Sequence, residues 1–139
     1  MSPSRIYLVE KHDAAERSMA EQRAKLKEEI RTVDDPDRMW AVGDLVNALG
    51  LIVATRKRLM DHFAKVGKQQ ISLRELMDMC LDAPVEGFTD FIMAPLLRVK
   101  GVGKKGFWSV VNGLTGVDMG KRGNEDWEKR LAKIKQDHW

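Results

Sequence analysis

The chain has 139 residues, 43% of them hydrophobic and 32% charged, with 24 Lys and Arg against 21 Asp and Glu for a net charge of +3. That length fits one domain with a modest core, and that balance excludes a disordered tail. A single cysteine, Cys80, excludes an internal disulfide framework, and the longest apolar-looking stretch, residues 48–54, is broken by Gly50 and too short to span a bilayer.

Leu, Met, Lys, Glu and Ala dominate while Ile, Thr, Tyr and Phe are sparse, which predicts an all-α chain. Residues 1–12 hold Pro3 and little periodicity, so they read as an arm; no apolar run there is long enough for a signal peptide. Asp13 can cap a helix over 14–31 with a thin apolar stripe of Ala15, Met19, Leu26 and Ile30. Arg17, Arg23, Lys25, Lys27 and Arg31 alternate along it with Glu16, Glu21, Glu28 and Glu29, the pattern of a solvated helix face.

Asp35-Pro36 sets up the next cap, and Met39, Val42, Leu45, Val46, Leu49, Ile52 and Val53 then recur at helical spacing. Gly43 and Gly50 inside that run imply a bend or close packing. The pattern passes through Arg56-Lys57-Arg58 to Phe63 and ends at Gly67, a C-cap. This segment either thickens the core or offers Trp40 and a leucine-rich face, residues 39–63, to a protein partner. Arg56-Lys57-Arg58 is either a solvated face or an auxiliary nucleic-acid contact.

Ser72-Leu-Arg-Glu75 is a capping box opening a helix to about residue 82, with Cys80 on its apolar side as a core thiol. Pro84 ends it, residues 85–90 form a loop carrying Phe88, and Pro95 opens a short helix over 95–99. The bend Gly101-Val102-Gly103 follows, and then Lys104 and Lys105 at the start of a helix over 104–114. Such a start aims unpaired amides, a positive dipole end and two ammonium groups at one point, which suits a phosphate. Thr115-Gly116 stops this helix, residues 117–123 form a second turn bearing Lys121, Arg122 and Gly123, and Asn124 caps a final helix over 125–136. Trp108 and Trp127 read as core anchors, with base stacking the alternative.

From Arg98 to Arg122 the chain holds Arg98, Lys100, Lys104, Lys105, Lys121 and Arg122 against Asp118 alone, so positive charge gathers around the bend. Gly101, Gly103 and Gly106 spell the dinucleotide fingerprint, but no buried strand precedes them and no acidic residue ends a second strand beyond. A nucleotide P-loop fails because Phe107 follows Gly106 where Lys-Ser or Lys-Thr is required. His12, His62 and His138 are scattered, Asp34, Asp35 and Asp37 read as caps, and no Ser/His/Asp or Cys/His set sits on a recognisable turn. No enzyme, metal or cofactor is expected.

Leu96, Val99, Gly101, Val102 and Gly103 follow the order apolar, x, x, apolar, x, Gly, apolar, Gly. This resembles the helix-hairpin-helix signature, whose amides grip a DNA backbone phosphate. Residues 73–134 are similar in order of elements to the actinobacterial integration host factor family. Val102-Gly103-Lys104 falls on that family's Val-Gly-Lys, Lys121-Arg122-Gly123 near its basic turn, and Ala24-Lys25-Leu26-Lys27 resembles its first helix. The resemblance implies a C-terminal helix-two-turn-helix module over 71–139, a charged N-terminal helix and arm over 1–32 that tracks DNA, and an inserted helical segment over 33–70. It also implies a cytoplasmic, nucleoid-associated, bacterial or phage-encoded architectural protein. Its contacts with double-stranded DNA would come from Arg98, Lys100, Gly101, Val102, Gly103, Lys104, Lys105, Lys121, Arg122 and Gly123. Phe107 stands where such motifs carry a small residue, so the helices must pack differently there. A protein-binding adaptor using the inserted helices, or a structured-RNA binder like the small-subunit ribosomal helix-two-turn-helix protein, are the alternatives.

Overall fold

A computed structural model describes residues 3–85 and 87–138. It is mostly α, with two small two-stranded antiparallel sheets. In chain order the elements are α1 (Pro3–Arg31), β1 (Met39–Ala41), α2 (Val42–Ala48), α3 (Val53–Lys65), β2 (Gln70–Ser72), α4 (Leu73–Met79), β3 (Ala83–Val85), β4 (Phe88–Met93), a 3-10 turn (Pro95–Arg98), α5 (Lys104–Thr115) and α6 (Gly120–His138). None of the described helices is long and apolar enough to cross a membrane.

The first helix begins at Pro3, so the expected arm over 1–12 is helical from residue 3 and Asp13 lies inside the helix. Proline is at home in the first turn, and nothing between it and Arg31 breaks a helix. Among the described side chains of α1, burial comes at its end: Ile30 is fully buried, while Met19, expected on the apolar stripe, is exposed.

The helical run expected from residue 39, bent or closely packed at its glycines, is three elements, the first of them a strand. Trp40 is buried between exposed Met39 and Ala41, the two-residue alternation of a strand, and pairs with Ile71 in the β1–β2 ladder. Gly50 has φ +65°, which an α-helix cannot contain, so α2 ends there and α3 starts in a new direction. The consequence falls on Ile52 and Val53. Their spacing predicts core positions, yet they stand 48% and 70% exposed. The α2–α3 segment thickens the core as one reading expected, and Trp40 is buried beneath the Arg38 guanidinium, 3.9 Å from its ring centroid, so it is not a surface for a partner.

The later caps follow local chemistry. Gly67, at φ +74°, closes α3 with its amide donating to the Ala64 carbonyl and that of Lys68 to the Phe63 carbonyl, a Schellman arrangement. Ser72 Oγ accepts from the Glu75 amide at 3.1 Å, but the Glu75 carboxylate pairs with Lys68 rather than completing the box. The expected loop over 85–90 is instead the β3–β4 hairpin, with Gly87 at φ +85° in its turn. The last helix starts at Gly120: Asp118 Oδ1 accepts from the Gly120 amide at 2.9 Å, so Asp118 and not Asn124 opens it.

One contiguous core runs through all of this, from Ile30 through Leu45, Leu59, Leu76, Phe107 and Val110 to Ile134. It draws on residues 33–70 as fully as on 71–139, so the expected inserted segment is part of the body rather than an appendage. Trp127 is buried and its indole N–H donates to the Leu114 carbonyl at 3.1 Å, fastening α6 to α5.

Cys80 lies fully buried in this core, and burial pushes its thiol up to about 12. The native thiol therefore holds its proton more tightly than the unfolded one, whose value is about 8.5. Stability should be level below that value and fall as pH rises from it toward 12. At pH 8 a disulfide reagent should modify native Cys80 roughly a thousandfold more slowly than the unfolded chain, a ratio read by stopped titration in buffer and in denaturant.

Candidate functional site

The Gly101 turn forms where its sequence predicts. Leu96 and Val99 are buried and anchor the incoming chain, Gly101 takes φ +84°, and Val102 turns inward, 5% exposed. Val102 is thus the anchor of the turn and not a contact residue. Gly103 is the extended N-cap of α5 and has no side chain to cap its first turn. Lys104 and Lys105 at that start are exposed.

A third cation arrives that the linear reading left aside. The Arg58 side chain of α3 lies over Gly101: a Cβ at that glycine would sit 2.6 Å from Arg58 Nε. Gly101 therefore meets two demands, a left-handed backbone and room for a guanidinium. Arg98 turns the other way, its Nη2 donating to the Pro84 carbonyl at 2.8 Å, and braces the β3–β4 hairpin while remaining exposed. Lys100 is exposed beside the turn.

The basic segment Lys121-Arg122-Gly123 is not a turn. Its backbone lies in the first turn of α6, after the connection at 117–119. That connection leaves the far end of α5, so the two basic segments are separated by the length of that helix, about 18 Å at 1.5 Å per residue. The second turn expected over 117–123 therefore ends at residue 119, with its basic residues on α6. The Asp118 amide donates to the Arg31 carbonyl at 2.6 Å, which ties this end of α5 to the end of α1.

What lies next to Lys104 and Lys105 is a different turn. An open cleft of about 860 Å³ is walled on one side by Leu49, Gly50 and Ile52, and on the other by Lys104, Lys105, Trp108, Ser109 and Asn112 of α5. Arg31 also lines it, and its Nε donates to the Ala48 carbonyl at 3.1 Å, closing the end of α2. Trp108 is half-buried, packed edge-on against Phe107 and showing part of its surface to the cleft; it is a partial anchor where Trp127 is a full one. The Ile52 amide donates to Ser109 Oγ at 3.1 Å across the cleft.

Two glycines of α5 set this approach. A Cβ at Gly106 would meet Thr55 Oγ1 at 3.0 Å, and one at Gly113 would meet the Leu49 carbonyl oxygen at 2.8 Å. They are seven residues apart, on one face of the helix. Gly106 is the small residue at this close approach, and Phe107 beside it fills the core. Among the described residues no group of His, Cys, Asp and Glu could hold a metal. No family model, curated protein or solved structure matches this chain.

Gly113→Ala should destabilise the protein by about 1 to 3 kcal/mol through overpacking against the Leu49 backbone, outweighing the roughly 1 kcal/mol that alanine contributes in an exposed helix. Denaturant unfolding checks the sign.

Proposed function

We propose that this protein binds duplex DNA through backbone phosphates, as an architectural protein of the kind its resemblance to the actinobacterial integration host factor family implies, and that it is not an enzyme. The observation that carries the reading is the Gly101 turn, where the uncapped start of α5 coincides with exposed Lys104 and Lys105 and with Arg58 laid against Gly101. Free amides, a helix dipole and three cations belong to this one turn, which is the environment a phosphate prefers. Lys100 adds charge beside it; Lys121 and Arg122 would meet the duplex farther along. None of these groups reads a base edge, so affinity should depend on salt more than on sequence.

A second reading, an adaptor for another protein, draws on exposed Met39, Ile52, Val53 and Met60 within the 39–63 segment. A gel-shift salt titration separates the two. With about four to six phosphates neutralised, log K against log salt should fall with a slope of roughly −4 to −5 for duplex DNA, and Lys104→Glu/Lys105→Glu should abolish the shift. Tighter binding to structured RNA would favour the ribosomal-type alternative, and no shift with either nucleic acid would favour the adaptor.

A further inference from the structure

The Gly50 turn repeats the Gly101 turn. Leu45, Ala48, Gly50 and Leu51 stand in the same order as Leu96, Val99, Gly101 and Val102, each 51 positions earlier, and all but the glycines are buried. Both glycines have positive φ, +65° and +84°. Each is followed by a buried aliphatic residue, then by an N-cap in extended conformation with no side-chain cap, Ile52 or Gly103, and then by a helix, α3 or α5. The element before the turn is α2 in the first unit and shrinks to the 3-10 turn in the second.

The two units meet at their turns. Thr55 and Gly106, equivalent positions, touch one another. Ser109 of α5 accepts from the Ile52 amide of the first turn, and its equivalent on α3, Arg58, lies on Gly101 of the second. Gly50 and Ile52 of the first turn line the same cleft as Lys104 and Lys105, which follow the second, so the two turns stand beside each other.

We infer that the two turns form one surface for duplex DNA, in which the Gly101 turn grips phosphate and the Gly50 turn sets exposed Ile52 and Val53 against the wall of a groove. This rests on the phosphate-binding reading above. The first turn is chemically unlike the second: Val53 and Ala54 replace Lys104 and Lys105, and the Ile52 amide is already taken by Ser109. It offers an apolar tip, as groove-inserting side chains do. Its neighbours decide the occupant. Ile52 lines the same cleft as Lys104, Lys105 and Arg31, and Lys57 stands one helical turn beyond Val53, so the apolar tip is flanked by cations on both sides. A polyanion with apolar sugar edges matches that pattern, and an apolar protein helix does not.

The test converts the first turn into a copy of the second. Val53→Lys/Ala54→Lys changes two exposed positions, and Ala64→Lys/Val66→Lys adds the same charge at the far end of α3 as control. In gel-shift titrations with a duplex, the first variant should steepen the slope of log K against log salt by about two, and the control by less than about half a unit. If wild type binds and Lys104→Glu/Lys105→Glu does not, yet the two lysine insertions behave alike, the phosphate-binding reading stands and the shared surface is overturned. If wild type fails to bind duplex DNA at low salt, both fall. Val53→Glu should weaken duplex binding at least about tenfold; unchanged affinity, or capture of a protein partner that Val53→Glu abolishes while DNA binding is untouched, would also overturn the inference.

Discussion

The fold depends on how closely α5 approaches the chain that precedes it. Gly106 and Gly113 present bare backbone on one face, so the helix lies against Thr55 at one point and against the Leu49 carbonyl two turns further on. A side chain at Gly113 would force the helix and the Leu49 backbone apart, and one at Gly106 would press on Thr55 and Val102, straining the Ser109–Ile52 hydrogen bond between them. The adjoining face of the same helix carries Phe107, Val110, Val111 and Leu114 into the core. Alpha-5 is therefore both the central packing element and one wall of the cleft, and its position fixes where Lys104 and Lys105 stand.

From that constraint follows the distribution of charge. Cations separated in sequence, Arg31 at the end of α1, Arg58 in the middle of α3 and the lysine pair at the start of α5, are brought to one side because their parent elements meet at the two glycine turns. Arg31 serves structure at the same time, closing α2 through the Ala48 carbonyl. In the proposed reading, affinity for phosphate would come from geometry that the packing has already enforced.

Much of this was legible in the residues where the cause is local. The Gly101 turn, the start of α5, the Ser72 cap and the Gly67 stop each depend on a few neighbours, and each stands where its residue types require. The strands were not legible, because three residues such as Met39–Ala41 become a strand only through partners at Gln70–Ser72, and no periodicity survives in so short a segment. The second basic turn was misjudged since Asp118 opens α6 ahead of Asn124. The Gly50 turn was hidden differently: its apolar and glycine spacing matches that of the Gly101 turn, but the apolar residues run on through Ile52 and Val53 without a break, and helical spacing absorbed them. Only the exposure of those two side chains separates a turn from a bent helix. Arg58 was legible only as one of a basic trio on a helix face and Arg31 only as one of many charges on α1, since their places at the two turns arise from tertiary approach.

The central claim is that the two glycine turns share one face toward a duplex, and the most direct measurement is a backbone amide chemical-shift titration with a short DNA duplex. The account predicts perturbations gathered in two patches, residues 50–54 and 101–106, appearing together over the same concentration range. Shifts confined to α1 or α6, or to only one of the two turns, would contradict it.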